Sequence, residues 1–292
     1  MKNNYTLKRA EKMGFCFGVK EAVDLAESIN ADNKVYMLGM LVHNEQVIKN
    51  LENRGIEVVS EEDVLQGKDN IKPNDTVIIR AHGTIKKIYE ILNEKNVTIY
   101  DVACIFVKRS REELIKHEKD GYKILFVGDK YHPEVRGIIS FGDDVEVIKD
   151  FEELKNYNFD DSKKYYILAQ TTLNKNLYRE MTDYIEENYS NCKVGNTICG
   201  ATFERQKAVE KLATEVDVML IVGGKNSSNT KKLYNLSREI NKKSHLIQTY
   251  EDINFDWFED GDRIGITAGA STPDEIVEKI ESILLGGRLN GR

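Results

Sequence analysis

Three cysteines stand out among the residues able to carry chemistry. Cys16, Cys104 and Cys199 are separated by 88 and 95 residues, and no CxxC pair occurs. The missing CxxC argues against a zinc ribbon or a thioredoxin-type redox motif. A lone cysteine is ordinarily a small buried hydrophobe, but a common pattern runs downstream of these three. His43 lies 27 residues after Cys16, His132 lies 28 after Cys104, and Ser227 lies 28 after Cys199. A glycine stands four residues before each: Gly39, Gly128 and Gly223. A second polar position recurs at His82, Thr171 and Ser271, which are 66, 67 and 72 residues from their cysteines. Cys192 has no place in this register and reads as structural.

Thiolates select zinc, copper(I) or iron–sulfur clusters. A fully ligated cluster uses four cysteines, so three leave one metal position open to substrate. A three-cysteine zinc site is the alternative. Zinc, however, rarely collects one ligand from each of three distant segments, which favours a cluster. Three of the five histidines, His43, His82 and His132, fall in the recurring loops. His117, in KHEKD, reads as a solvated helical face, and His245 as packing at a strand start. The segment KNSSN, from Lys225 to Asn229, offers hydroxyls, an amide and helix-start N–H groups suited to a phosphate or diphosphate. The same residue types also cap helices. No Walker A motif occurs and no GxGxxG follows a strand, so nicotinamide cofactors are not indicated.

The elements that must position these residues repeat with them. After each cysteine comes a helix, then a strand ending in the first loop, a helix and a short strand. An acidic stretch comes next, then a strand ending in the second loop and another helix. In the first two repeats a further strand then delivers the next cysteine. This alternation predicts an α/β fold of three similar α/β lobes with mostly parallel sheets. The lobes span 16–103, 104–198 and 199–285, with 1–15 and 286–292 as terminal segments. Ligands of such sheets collect at the carboxyl ends of strands. A pseudo-threefold axis would bring six loops and three cysteines to one centre, around a central cluster. The rival arrangement is three independent units, each with its own small site.

Composition narrows the classes. The 292 residues are 40% hydrophobic with a net charge of −7, which argues against a general nucleic-acid binder. No apolar run approaches the roughly eighteen residues of a membrane span, and the polar start shows no secretory signal. The expectation is a cytoplasmic protein that binds neither nucleic acid nor membrane.

The strings GFCFGVKEAV (14–23), VHNEQV (42–47), RAHG (80–83) and YHPEVRGI (131–138) continue with QTT (170–172) and ICGATFERQ (198–206). VGGKNSSNTKKL (222–233) and TAGASTPD (267–274) complete the set. In order and spacing, over 16–285, they closely resemble the 4-hydroxy-3-methylbut-2-enyl diphosphate reductases of the non-mevalonate isoprenoid pathway. The resemblance implies a 4Fe-4S iron–sulfur cluster on Cys16, Cys104 and Cys199. It implies a diphosphate held by His43, His82, His132, Ser227, Ser228, Asn229 and Ser271. Thr171 would lie beside the allylic skeleton, and Glu134 would feed the proton. The implied reaction is reductive dehydroxylation to isopentenyl and dimethylallyl diphosphates, with electrons from ferredoxin or flavodoxin. One departure stands at the second cysteine. The family's usual Asp-Ala-Thr-Cys-Pro is here Asp101-Val102-Ala103-Cys104-Ile105, a change that tunes cluster stability and potential. The competing functions are an iron–sulfur hydro-lyase acting on a small anion and a non-catalytic iron–sulfur sensor.

Overall fold

The computed structural model describes residues 4–42, 44–225 and 227–286. Short apolar strands alternate with amphipathic helices along the chain. The order begins β1 (Thr6–Arg9), α1 (Phe17–Ser28), β2 (Val35–Leu38), α2 (Glu45–Asn53), β3 (Ile56–Val59), α3 (Glu61–Gln66), β4 (Thr76–Ile79), α4 (Lys86–Glu94) and β5 (Thr98–Asp101). It continues with α5 (Ile105–Lys119), β6 (Tyr122–Val127), α6 (Pro133–Ile139), β7 (Val145–Ile148), α7 (Phe151–Lys155), β8 (Lys164–Ala169), α8 (Lys175–Asn188) and β9 (Cys192–Val194). The last third comprises α9 (Gly200–Ala213), β10 (Val218–Val222), α10 (Ser228–Ile240), β11 (Ser244–Ile247), β12 (Arg263–Ala268) and α11 (Asp274–Leu284).

The strands form three four-stranded sheets, ordered β3-β2-β4-β5, β7-β6-β8-β9 and β11-β10-β12-β1. Every strand pair in them is parallel. The three orders are the same order. In the third sheet, the place taken by β5 and β9 elsewhere is filled by β1 from the start of the chain. The repeat is therefore cyclic. Residues 6–9 belong to the sheet of 218–268, although the sequence pattern marks them only as part of a terminal segment. The chain divides into two units, and each holds whole sheets. One comprises 1–20, 42–50 and 201–292 and contains the third sheet; the other, 21–41 and 51–200, contains the first two.

Central strands are apolar on both faces because helices cover both. In the third sheet Val218, Leu220 and Val222 pack with Ile264, Ile266 and the α11 residues Val277, Ile280 and Leu284. Met219 and Ile221 point the other way, onto Val209 and Leu212 of α9 and Leu233 of α10. Helix starts are set by polar caps: Ser60 for α3, Asp150 for α7 and Asn174 for α8. Each cap side chain accepts an otherwise unpaired first-turn N–H.

Candidate functional site

Each of the three registered cysteines follows the edge strand of a sheet and precedes a helix. Cys16 stands between β1 and α1, Cys104 between β5 and α5, and Cys199 between β9 and α9. Their main chains are tied in the same way. The N–H of Cys16 donates to the Ala270 carbonyl at 3.2 Å, that of Cys104 to Ala81 at 2.8 Å, and that of Cys199 to Thr171 at 2.8 Å. Those carbonyls belong to the second loops, at or beside Ser271, His82 and Thr171. Each registered cysteine is thus fastened to the loop of a residue nominated for substrate.

None of the four cysteines forms a disulfide. Cys192 differs from the others: it lies within β9, packs on the core around Tyr165 and Ile167, and has its thiol pushed up to about 11 by burial. A neutral, half-buried thiol there is a packing group. Among the described residues, no group of three or more His, Cys, Asp or Glu is arranged to hold a single metal ion. Each thiolate of a cluster binds its own iron, so a cluster does not require one ion's coordination shell.

The first loops are built alike. The N–H groups of Gly39, Gly128 and Gly223 donate to Val59, Ile148 and Ile247, at 2.7, 2.9 and 2.8 Å. Each loop then ends in a cap. The Asn44 Oδ1 accepts from the N–H groups of Gln46 and Val47 at 3.0 and 3.3 Å. The His132 Nδ1 accepts from Glu134 at 3.2 Å, and the Ser227 Oγ accepts from Thr230 at 3.3 Å. These three caps all lie 28 residues after their cysteines. The capping station of the first repeat is therefore Asn44, one residue past His43, which itself lies outside the described residues. An acceptor Nδ1 puts the His132 proton on Nε2 and makes that nitrogen the donor.

Glu134 is the second residue of α6 and is buried, at 4% exposure. Its carboxylate does not serve the helix start. Oε1 accepts the Thr171 N–H at 2.7 Å and Oε2 accepts the Thr171 hydroxyl at 2.9 Å. Burial pushes its carboxyl above the ordinary range, against the opposing pull of the two Thr171 hydrogen bonds. A carboxyl that keeps its proton to higher pH suits a general acid.

In the third sheet Ser227 and Ser271 are buried at 4% and 7% exposure. Ser228 opens α10, but its side chain lies outside the described part of the structure. Both polar atoms of the Asn229 amide are buried and have no hydrogen-bond partner among the described residues. Leaving such atoms unpaired costs about 1–3 kcal/mol each. His82 is half-buried between Ala81, whose carbonyl holds Cys104, and Gly83, whose φ of +77° favours glycine.

His117 is not the solvated residue its charged neighbours suggest. Its ring stacks on Tyr166 at 3.4 Å, and Nδ1 lies 2.9 Å from the Glu113 carbonyl oxygen. His245 packs as expected, stacked on Trp257 at 3.9 Å. Sequence reasoning missed two residues that fix cysteine segments. Asp101 Oδ1 accepts from the Ala103 N–H at 2.9 Å, while Oδ2 accepts from Arg111 at 3.0 Å and Tyr89 at 2.9 Å. Thr197, fully buried, bonds both the N–H and the carbonyl of Ala169, at 3.1 and 2.9 Å. The signal for both was position: each lies two or three residues before a cysteine.

Residues 7–285 match the LytB protein family. The chain belongs to the LytB family. A relative from Fusobacterium nucleatum named 4-hydroxy-3-methylbut-2-enyl diphosphate reductase is 47% identical over 95% of this chain, which spans 34% of that longer protein. A relative of the same name from Caldanaerobacter subterraneus is 41% identical, over 94% of this chain and 96% of its own length. A solved structure of (E)-4-hydroxy-3-methylbut-2-enyl diphosphate reductase, described as the terminal enzyme of the non-mevalonate pathway, superimposes with a TM-score of 0.71. It is 40% identical and covers 95% of this chain and 98% of its own. LytB membership and this match agree with the three similar α/β sheets. No helix among the described residues is long and apolar enough to cross a membrane.

Proposed function

We propose that this chain reduces (E)-4-hydroxy-3-methylbut-2-enyl diphosphate to isopentenyl and dimethylallyl diphosphates, using a 4Fe-4S cluster held by Cys16, Cys104 and Cys199. One observation carries the reading: all three cysteine amides are bonded to the second-loop carbonyls, at the stations of Ser271, His82 and Thr171. When bound, the cluster supplies single electrons and Lewis acidity that side chains lack.

The chain's own residues bind and protonate. His43, His82 and His132 with Ser227, Ser228, Asn229 and Ser271 hold the diphosphate, and the Asn229 amide, which has no partner among the described residues, finds its partners there. Fixing the diphosphate holds the allylic alcohol in one orientation. The reaction takes two electrons and two protons: one proton leaves with the hydroxyl as water, and the other joins carbon. Glu134 holds the acidic proton; in its protonated form it donates to the Thr171 Oγ1, whose own hydroxyl proton then turns toward the allylic end. Electrons arrive singly from a ferredoxin or flavodoxin in the cytoplasm. A buried carboxyl paired to a loop threonine is a proton-transfer device, which supports catalysis over an iron–sulfur sensor.

The test is turnover of the hydroxylated diphosphate by anaerobically prepared, iron-loaded chain with reduced viologen. Isopentenyl and dimethylallyl diphosphates are the expected products. A folded, cluster-bearing chain that leaves this substrate untouched would refute the reading.

A further inference from the structure

The string ICGATFERQ contains a charged residue that the proposed chemistry does not use. Arg205 sits on α9 in register with Ala208, Val209 and Leu212, the buried stripe of that helix. It is itself only 7% exposed. A guanidinium in an apolar stripe is costly unless its donors are satisfied. Here Nε and Nη2 both donate to the Gly14 carbonyl, at 3.2 and 3.0 Å, and Nη1 donates to the Ala201 carbonyl at 2.9 Å. Among the described residues no carboxylate lies within ion-pair distance of it. Among the described residues, the charge is therefore buried against main-chain oxygens.

Gly14 is two residues before Cys16, and α9 is the helix that Cys199 precedes. Gly14 has a φ of +69°, and an added Cβ would meet the Asp274 carboxylate at 3.0 Å. Its N–H is fixed by the Ala268 carbonyl at 3.0 Å, and the Cys16 N–H by Ala270. The guanidinium takes the Gly14 carbonyl, a main-chain acceptor just before the cysteine. The equivalent stations of the other repeats hold no cation: six residues after Cys16 and Cys104 stand Ala22 and Ser110. The device is particular to this corner of the repeat.

We propose that Arg205 is a positioning residue that locks the Cys16 segment onto α9 and adds a fixed positive charge beside this cluster ligand. The inference rests on the cluster assigned above. A thiolate-ligated cluster is anionic and becomes more so on reduction. A nearby buried cation therefore favours the reduced form and raises the potential. Partners hydrogen-bonded directly to a metal ligand typically change metal affinity 10–100-fold; Arg205 bonds the main chain two residues from Cys16, so the lower end of that range applies.

The experiment compares wild type, Arg205→Met and Arg205→Lys as anaerobic, cluster-loaded chains. It reads cluster loss to a chelator, midpoint potential, and folding by far-UV circular dichroism. Arg205→Met is expected to lose its cluster about tenfold faster or more and to have a more negative midpoint potential. Arg205→Lys keeps the charge but cannot reproduce three hydrogen bonds. It is expected to stay near the wild-type potential while still losing the cluster faster. Folded Arg205→Met with wild-type loss rate and potential would overturn the proposal. Where Arg205→Met folds poorly, Arg205→Lys decides: wild-type retention in it overturns the positioning role, and faster loss supports it. A wild-type chain that takes up no cluster overturns the parent reading and this inference with it. A wild-type cluster with unchanged variants overturns this inference alone.

Discussion

Thr171 grips the Glu134 carboxylate twice, with its N–H to Oε1 at 2.7 Å and its hydroxyl to Oε2 at 2.9 Å. The carbonyl of the same threonine accepts the Cys199 N–H at 2.8 Å. One residue thus joins the proposed proton donor to a proposed cluster ligand. Glu134→Gln keeps the shape and an acceptor for the Thr171 N–H but carries no acidic proton. Turnover should fall at least about a hundredfold, with iron content and diphosphate affinity unchanged. Near-normal turnover measured on fully loaded protein would remove Glu134 from the mechanism.

The same carboxyl gives a pH prediction. Its folded-state proton affinity is raised by burial, so the folded chain binds this proton more tightly than the unfolded chain. The stability from this group is complete below the ordinary carboxyl range and is lost as pH rises through the raised folded value. Turnover should decline over the same rise, because the acid form donates. Glu134→Gln should lack both dependences. Melting temperature and rate measured against pH in the two proteins check this, and parallel profiles would contradict it.

The cysteines separate into two kinds. Serine at Cys16, Cys104 or Cys199 should abolish or cripple cluster binding, measured as iron and sulfide per chain after anaerobic reconstitution. Cys192→Ser should bind a full complement, because that thiol is a neutral strand residue. Iron lost from Cys192→Ser and kept by Cys104→Ser would reverse the assignment.

Much of this was legible in the sequence because the repeat carries its own register. The cysteine-to-loop spacings and loop glycines mark strand ends, and runs such as VMLIV mark the central strands. β1 was not legible. TLKR is short and mostly exposed, and its partner strand lies at the other end of the chain. Only the cyclic equivalence of β1, β5 and β9 reveals it. His117 misleads because a charged string conceals a ring stacked on Tyr166. Glu134 was ambiguous from position alone, since a carboxylate in the first turn of a helix also suits the dipole. Its carboxylate is bonded to Thr171 across the fold, a tertiary contact that has no signature in the sequence. Arg205 is a charge on the buried stripe of α9, and its target, the Gly14 carbonyl, has no sequence signature.

Thr197 offers a structural test of the Cys199 segment. Its hydroxyl pairs both main-chain groups of Ala169 in a fully buried place. Thr197→Val keeps the shape and leaves those groups without that partner, which should cost about 1–3 kcal/mol. Chemical denaturation of the apo chain measures the loss, and cluster retention in the loaded chain should fall with it. An unchanged denaturation midpoint would show that the hydroxyl pairing is dispensable.

The most direct measurement is the electron count of the reaction. Anaerobic, cluster-loaded chain is given the hydroxylated diphosphate and a limiting, titrated amount of one-electron-reduced viologen, and products are quantified. Two viologen radicals should be oxidised for each isopentenyl or dimethylallyl diphosphate formed, with no product in the absence of reductant. Loss of water from the substrate with no electrons consumed would contradict reductive dehydroxylation and identify a redox-neutral dehydratase.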